Sequence, residues 1–383
     1  MTHYYFDNAA TTPMSPTVVT AMSQALADDF GNASSTHYFG RQSHHLLDQS
    51  RQVIANSIHA KTDEIIFTSG GTEGDNTAIS GTAVSYREHG KHIITTQIEH
   101  PAVLKTMSFL EKLGYDITYL PVDEHGLVTA GQVKAALRPD TILVSIMTGN
   151  NEIGAIEPIA EIGAVLKNHQ AIFHTDAVQA YGILDIDVQQ MGVDLLSISG
   201  HKLHGPKGIG FLYMNEKVNL EPFMHGGEQE HLRRAGTENI PSIIGLAQAV
   251  KDLTPANKKA KREKLQSLKA ILIADLKTNK VDFAINGPQP DQALPHVLNI
   301  WIKGLPSTLA LMNLDLKGFA VSAGSACTAG SLEPSHVLTA ITGDQDAPQI
   351  SESLRVSFGD QNTEESVHLL AQAITEVTQD YLN

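Results

Sequence analysis

Ala171-Ile172-Phe173-His174-Thr175-Asp176-Ala177-Val178-Gln179 and, further on, Asp194-Leu195-Leu196-Ser197-Ile198-Ser199-Gly200-His201-Lys202 decide how this chain is read. Each begins as an apolar run of strand length and ends in residues that carry chemistry. Working outward, runs of the same kind recur at 64–68, 92–95, 116–120 and 141–145. The segments between them, such as 101–113 and 159–168, have helical periodicity and enough length to cross over a sheet. Strands spaced by helices read as βαβ units, so an α/β fold is expected, with a mostly parallel sheet and helices on both faces. From about 241 to 276 the pattern becomes one long helical stretch, in which Lys258-Lys259-Ala260-Lys261-Arg262 reads as a solvated face. Runs at 297–302, 318–322 and 354–358 and a terminal helix over 363–382 then suggest a smaller α+β domain. The expected division is a large domain of residues 13–257 and a small one of residues 1–12 and 258–383.

With 383 residues, the chain has room for two or three compact units. Its 18% charged and 42% hydrophobic residues are those of a globular protein, not a disordered one. No apolar run reaches membrane-spanning length, and Met1-Thr2-His3-Tyr4-Tyr5-Phe6-Asp7 lacks the marks of a secretion signal, so a cytoplasmic protein is expected. A formal net charge of −15 argues against direct binding to nucleic acid or to an anionic membrane. Cys327 is the single cysteine, which excludes an intrachain disulfide and any metal centre built from this chain's thiolates alone.

Thr68-Ser69-Gly70-Gly71-Thr72-Glu73 follows one strand and opens a helix, a place where backbone N–H groups can cup an anion. The run from Gly200 to Lys207 has proline where a nucleotide-binding loop needs lysine, so a triphosphate site is disfavoured. Lys202, in a turn after a buried strand, can instead form a Schiff base. Asp176 stands at a strand's carboxyl end, where open α/β sheets bind ligands, and can hold a pyridinium nitrogen protonated. An anion cup, an amine for an aldehyde and an acid for a ring nitrogen together point to pyridoxal phosphate. His100, at a strand-to-helix junction, is placed to stack on a cofactor ring or to move a proton. The eighteen histidines include no His-Glu-x-x-His, and no metal site is expected. Cys327 lies in a stretch of small residues that favours an exposed, mobile loop and a reactive thiol.

On these motifs the sequence resembles the cysteine desulfurases, the NifS- and IscS-like branch of the class V aminotransferases, with the type I fold of pyridoxal phosphate enzymes. The resemblance covers nearly the whole chain. Beyond the motifs already quoted it rests on Asp7-Asn8-Ala9-Ala10-Thr11-Thr12, Thr96-Gln97-Ile98-Glu99-His100, Asn150-Asn151-Glu152-Ile153-Gly154 and Gly324-Ser325-Ala326-Cys327-Thr328. It implies Lys202, Cys327 and His100 as catalytic residues, with Lys202 carrying the internal aldimine and Asp176 pairing with the ring nitrogen. Asn151 and Gln179 would bond near the ring oxygen, and Arg355, with Asn151 beside it, would clamp the substrate carboxylate. Gly71, Thr72, Ser199 and His201 would hold the phosphate, completed by Thr237 of the partner subunit, so a homodimer is implied.

The implied reaction converts L-cysteine to L-alanine and leaves a persulfide on Cys327, whose loop carries sulfur to an acceptor protein. Three departures from the family pattern stand out: Gly71 replaces an alanine, Thr148-Gly149 replaces His-Val, and the chain stops soon after Tyr381. The last makes a tRNA-thiolation enzyme as good a candidate acceptor as an iron–sulfur scaffold. Selenocysteine lyase or class V aminotransferase activity shares Lys202 and Asp176 without requiring Cys327, and a non-catalytic sulfur carrier would need only the thiol.

Overall fold

Side-chain alternation along each strand sorts the main sheet between two cores. The computed structural model describes residues 2–324 and 334–382. In its first part the strands are β1 (Tyr4–Tyr5), β2 (Ile65–Thr68), β3 (His92–Thr96), β4 (Asp116–Leu120), β5 (Thr141–Ser145), β6 (Ile172–Asp176), β7 (Leu195–Ser199) and β8 (Gly210–Met214). β9 (Phe283–Ile285), β10 (Val297–Ile302), β11 (Phe319–Ala320) and β12 (Ser353–Ser357) follow. Ile65 and Phe67 of β2 and Leu196 and Ile198 of β7 enter one core, while Ile66 and Leu195 beside them enter the other. The first core is closed by helices Pro16–Asp28, Tyr38–Ser57 and Ile240–Lys251, the second by Gly71–Ser85 and Pro101–Lys112. A side chain buried as fully as Phe173 contributes about 1.5–3 kcal/mol.

The sheet has seven strands in the order β2-β8-β7-β6-β5-β3-β4. Its pairings are parallel from β7 through β4, which bears out the α/β expectation. β8, which the sequence reading does not include, runs antiparallel to both β7 and β2. The long helical stretch also divides, into Ile240–Lys251 and Pro255–Thr278. Thr254 caps the second helix by accepting from the Asn257 N–H, and Pro255 at its start cannot continue a preceding helix.

A second, antiparallel sheet, β12-β10-β9, packs under Pro255–Thr278 and Glu364–Leu382. Phe6, from the start of the chain, is buried in that core, and β1 pairs with β11. No helix among the described residues is long and apolar enough to cross a membrane.

This topology fixes where a ligand can sit. β3 is followed by a strand on one side and β5 begins the build-up on the other, so the direction of winding reverses between them. Crevices for ligands form at the carboxyl ends of strands beside such a reversal.

Candidate active site

The carboxyl ends of β2, β3, β5, β6 and β7 deliver their following residues to one cleft of ≈ 470 Å³. Gly70 has φ +147°, a conformation that side chains avoid, and Gly71 begins the helix Gly71–Ser85. A Cβ on Gly71 would stand 2.8 Å from Val178 Cγ2, so glycine lets the helix start close against the turn after β6. The free N–H groups of that first turn, with Thr72 and Ser199 beside them, make the anion cup. Glu73 braces it, accepting from the Ser69 N–H at 2.7 Å and from Arg234 Nε at 2.8 Å.

Lys202 enters half-buried from the short turn after β7. Its Nζ donates to the carbonyl oxygens of Ala9 and Ala10 at 2.5 and 2.8 Å. The segment from Asp7 to Thr12 therefore acts as a strap across the amine. Thr12 Oγ1 donates to the His201 carbonyl at 2.8 Å, and Thr11 Oγ1 lies 3.1 Å from His201 Nδ1. Burial and the charges of Lys202 and Lys207 bring the His201 imidazole down to about 4, so it is neutral.

Asp176 closes β6 and accepts the Val178 N–H at 2.9 Å. Behind it is a residue that sequence reasoning missed, Asp75, one turn into the helix Gly71–Ser85 and 1% exposed. One atom each from Asp75, His100 and Asp176 come within 4.8 Å of one another. Burial holds both carboxyls above the usual carboxylate range; the charge of Asp176 pushes Asp75 up further, while the Val178 N–H and the charge of Lys202 hold Asp176 back. Asp75 Oδ1 has no hydrogen-bond partner among the described residues. The sequence signal was weak, since Asp75 stands among Gly74, Asn76, Thr77 and Ala78 on a helix too weakly amphipathic to mark it as buried.

His100 caps the helix Pro101–Lys112, its Nδ1 accepting from the Ala102 N–H at 3.1 Å. A capping nitrogen must be bare, and burial with the neighbouring charge of Lys202 brings the ring down to about 4. Glu99 anchors this turn: its carboxylate accepts from Thr96 Oγ1 at 2.7 Å and from the Met147 N–H at 3.0 Å. Asn151 and Gln179 also line the cleft, as does Arg355. Arg355 donates to Asp7 Oδ1 at 2.8 Å and to the Asn151 carbonyl at 3.1 Å, and its Nε has no partner among the described residues. A guanidinium has five N–H donors, so it retains capacity for a carboxylate. Thr237 is exposed and does not line this chain's cleft, and Cys327 lies outside the described residues. His201 and His204 do not form a metal pair: His204 Nδ1 meets the Pro13 carbonyl and its Nε2 faces Asp360.

Pyridoxal phosphate fits this set by its chemistry. The glycine cup suits a dianion, the strapped amine suits an aldehyde, the buried Asp176 suits a pyridinium, and the partnerless Arg355 Nε marks polar capacity left open. Residues 4–370 match the family model described as Aminotransferase class-V. The chain is 49% identical over 337 residues to "Cysteine desulfurase IscS" of Dictyoglomus turgidum, covering 88% of this chain and 85% of that protein. The chain belongs to the class V aminotransferases, in the cysteine desulfurase branch. A solved structure titled "NIFS-LIKE PROTEIN" superposes on this desulfurase with a TM-score of 0.92 at 32% identity, covering 99% of this chain and 100% of that one. A second, titled "SspA in complex with cysteine", gives a TM-score of 0.82 at 38% identity, over 92% of this chain and 98% of that one. The expected fold and enzyme class are thus borne out, and the desulfurase, like its family, depends on pyridoxal phosphate.

Proposed function

We propose that this desulfurase transfers the sulfur of L-cysteine to Cys327, releasing L-alanine, and that the residues of the cleft divide the work as follows. The observation that carries the reading is the convergence of Lys202, Asp176, His100 and the Gly70–Gly71 cup on one cleft that also contains Arg355. When bound, pyridoxal phosphate supplies an electron sink for the pair left when the substrate's Cα–H bond breaks. Lys202 Nζ would hold the cofactor's aldehyde carbon and would serve as the base for the substrate's Cα proton. Asp176 would hold the ring nitrogen's proton. Gly71, Thr72, Ser199 and His201 would hold the phosphate, and Asn151 and Gln179 would contact the ring. Arg355 fixes the substrate carboxylate through paired N–H donors. His100, neutral and donating only through Nε2, would lie against the cofactor ring and could hand a proton to the substrate sulfur.

Any persulfide on this chain must form at Cys327, because the chain has no other thiol. Its thiolate attacks the substrate Sγ, an S–S bond forms, and the C–S bond breaks with its electron pair going to carbon, which a proton then completes as the alanine methyl. The sulfur becomes sulfane sulfur on Cys327, and a thiol reductant or an acceptor protein removes it. An acceptor serving iron–sulfur assembly or tRNA thiolation, a cytoplasmic setting and a homodimer with Thr237 of the partner subunit at the phosphate belong to the same proposal. The test mixes wild type and Cys327→Ala with cysteine and a thiol reductant, and measures alanine and sulfide. Equal alanine and sulfide from wild type and neither from Cys327→Ala supports the reading. A variant that turns over like wild type refutes Cys327 as acceptor and favours a lyase.

A further inference from the structure

Gln179 is held from behind by a histidine that belongs to the other sheet. His296 immediately precedes β10, lies 117 residues from Gln179 in sequence, and is 8% exposed. Its Nε2 is 3.1 Å from Gln179 Oε1, and Gln179 Nε2 donates to the Ala9 carbonyl at 3.0 Å. The proton positions in this chain follow from what each atom is able to do. A carbonyl only accepts, so the amide atom facing Ala9 is the nitrogen. The amide atom facing His296 is then an oxygen, which also only accepts, so His296 carries its proton on Nε2.

Two further observations agree. His296 Nδ1 is buried with no partner among the described residues, which a bare ring nitrogen tolerates better than an unmet N–H would. Burial and the charges of Lys261, Lys269, Lys202 and Arg355 oppose a second proton and bring the ring down to about 3. The imidazole is therefore neutral and confined to one tautomer.

We infer that His296 is a positioning residue for the cofactor, locking the Gln179 amide so that its nitrogen, not its oxygen, serves the cleft. Reversing the amide would set oxygen against the Ala9 carbonyl and N–H against the His296 N–H, losing both hydrogen bonds at once. His296 does not line the cleft, whereas Gln179 and Ala9 both do. The Gln179 oxygen is thus turned away from the cofactor's place, and only N–H is offered to an anionic ring oxygen. The same Ala9 carbonyl receives Lys202 Nζ, so one backbone oxygen sets both the amide and the amine. The inference rests on the reading that Gln179 stands beside bound pyridoxal phosphate.

The test titrates pyridoxal phosphate into apoprotein and follows affinity and the pH midpoint of the bound cofactor's absorption spectrum. The proteins compared are wild type, His296→Leu, His296→Gln, Gln179→Leu and the double variant His296→Leu/Gln179→Leu. His296→Leu is expected to weaken affinity about tenfold and to raise the pH midpoint, because an anionic oxygen loses an oriented donor. His296→Gln, whose amide can again donate to Gln179, should return to within about threefold of wild type. The double variant should be no weaker than Gln179→Leu alone. Should His296→Leu fail to fold, His296→Asn, polar but too short to reach Gln179, is expected to show the same loss. An affinity and midpoint unchanged within about twofold, or losses that add in full in the double variant, would overturn the inference alone. Wild-type apoprotein that takes up no pyridoxal phosphate would overturn the reading of the cleft, and this inference with it.

Discussion

Replacing Glu230 by leucine should destabilise the protein strongly, and replacing Arg51 at the same time should restore much of the loss. The two side chains are 2% and 4% exposed and meet in a two-pronged ion pair, with both N–O distances 2.7 Å. Arg51 also donates to the Ile65 carbonyl at 2.6 Å and lies over the Phe67 ring, while Glu230 accepts the Phe67 N–H at 2.9 Å. The pair thus fastens the helix Tyr38–Ser57 to β2 just before the anion cup. It also holds a strained turn: Glu230, His231 and Leu232 have φ of 48°, 57° and 67°. Each such non-glycine residue costs about 1–2 kcal/mol against the ordinary helical conformation. Glu230→Leu leaves the Arg51 charge buried without its counter-ion, a loss of about 3–5 kcal/mol. At about 2–4 °C per kcal/mol for domains of this size, the thermal midpoint should fall by about 6–20 °C. Arg51→Met with Glu230→Leu removes both charges, leaves only the Phe67 N–H and the Ile65 carbonyl short of partners, and should recover half the deficit or more. Circular dichroism melts of apoprotein at one fixed concentration measure this. A single-variant shift under about 2 °C, or a double variant as damaged as both single changes added, would refute the reasoning.

Lys269 gives a prediction in pH. Buried and donating to the Leu294 carbonyl at 2.7 Å, it is brought down by burial to about 7, against about 10.4 in the unfolded chain. Between those values the unfolded chain binds the extra proton, so stability rises with pH from about 7 to 10; melts across that range should show the rise in wild type and not in Lys269→Met. His100→Asn keeps a good helix cap, so its melting midpoint should move by no more than about 3 °C while alanine production falls at least tenfold. Equal losses of stability and activity would show that the imidazole serves the helix rather than the reaction.

Features encoded within a few residues were open to sequence reading. Apolar runs rich in β-branched residues mark the strands 116–120 and 141–145, and the helix start that it permits marks the glycine turn at 70–71. The chemistry of Lys202 and Asp176 followed from their places just after strands, since the carboxyl edge of a parallel sheet collects such residues. The 241–276 stretch reads as one helix because both of its halves are helical in character, and the cap at Thr254-Pro255 that divides them is a single short signal between them. Phe211-Leu212-Tyr213-Met214 is itself an apolar run of strand length that the sequence reading leaves out, and only the tertiary structure shows its antiparallel return between β2 and β7.

The amino-acid sequence by itself determined which residue types stand at the strand ends, and with them the cofactor and the reaction class. Only the tertiary structure decided which of those groups meet, and in what protonation state. Asp75 reads as an ordinary helix residue until β6 brings Asp176 against it, and His296 reads as a turn residue until the second sheet carries it to Gln179. The strap formed by Ala9 and Ala10 across Lys202 joins residues more than 190 positions apart. Burial and proximity set these charges and proton positions, and both are properties of the packed chain rather than of any segment of it.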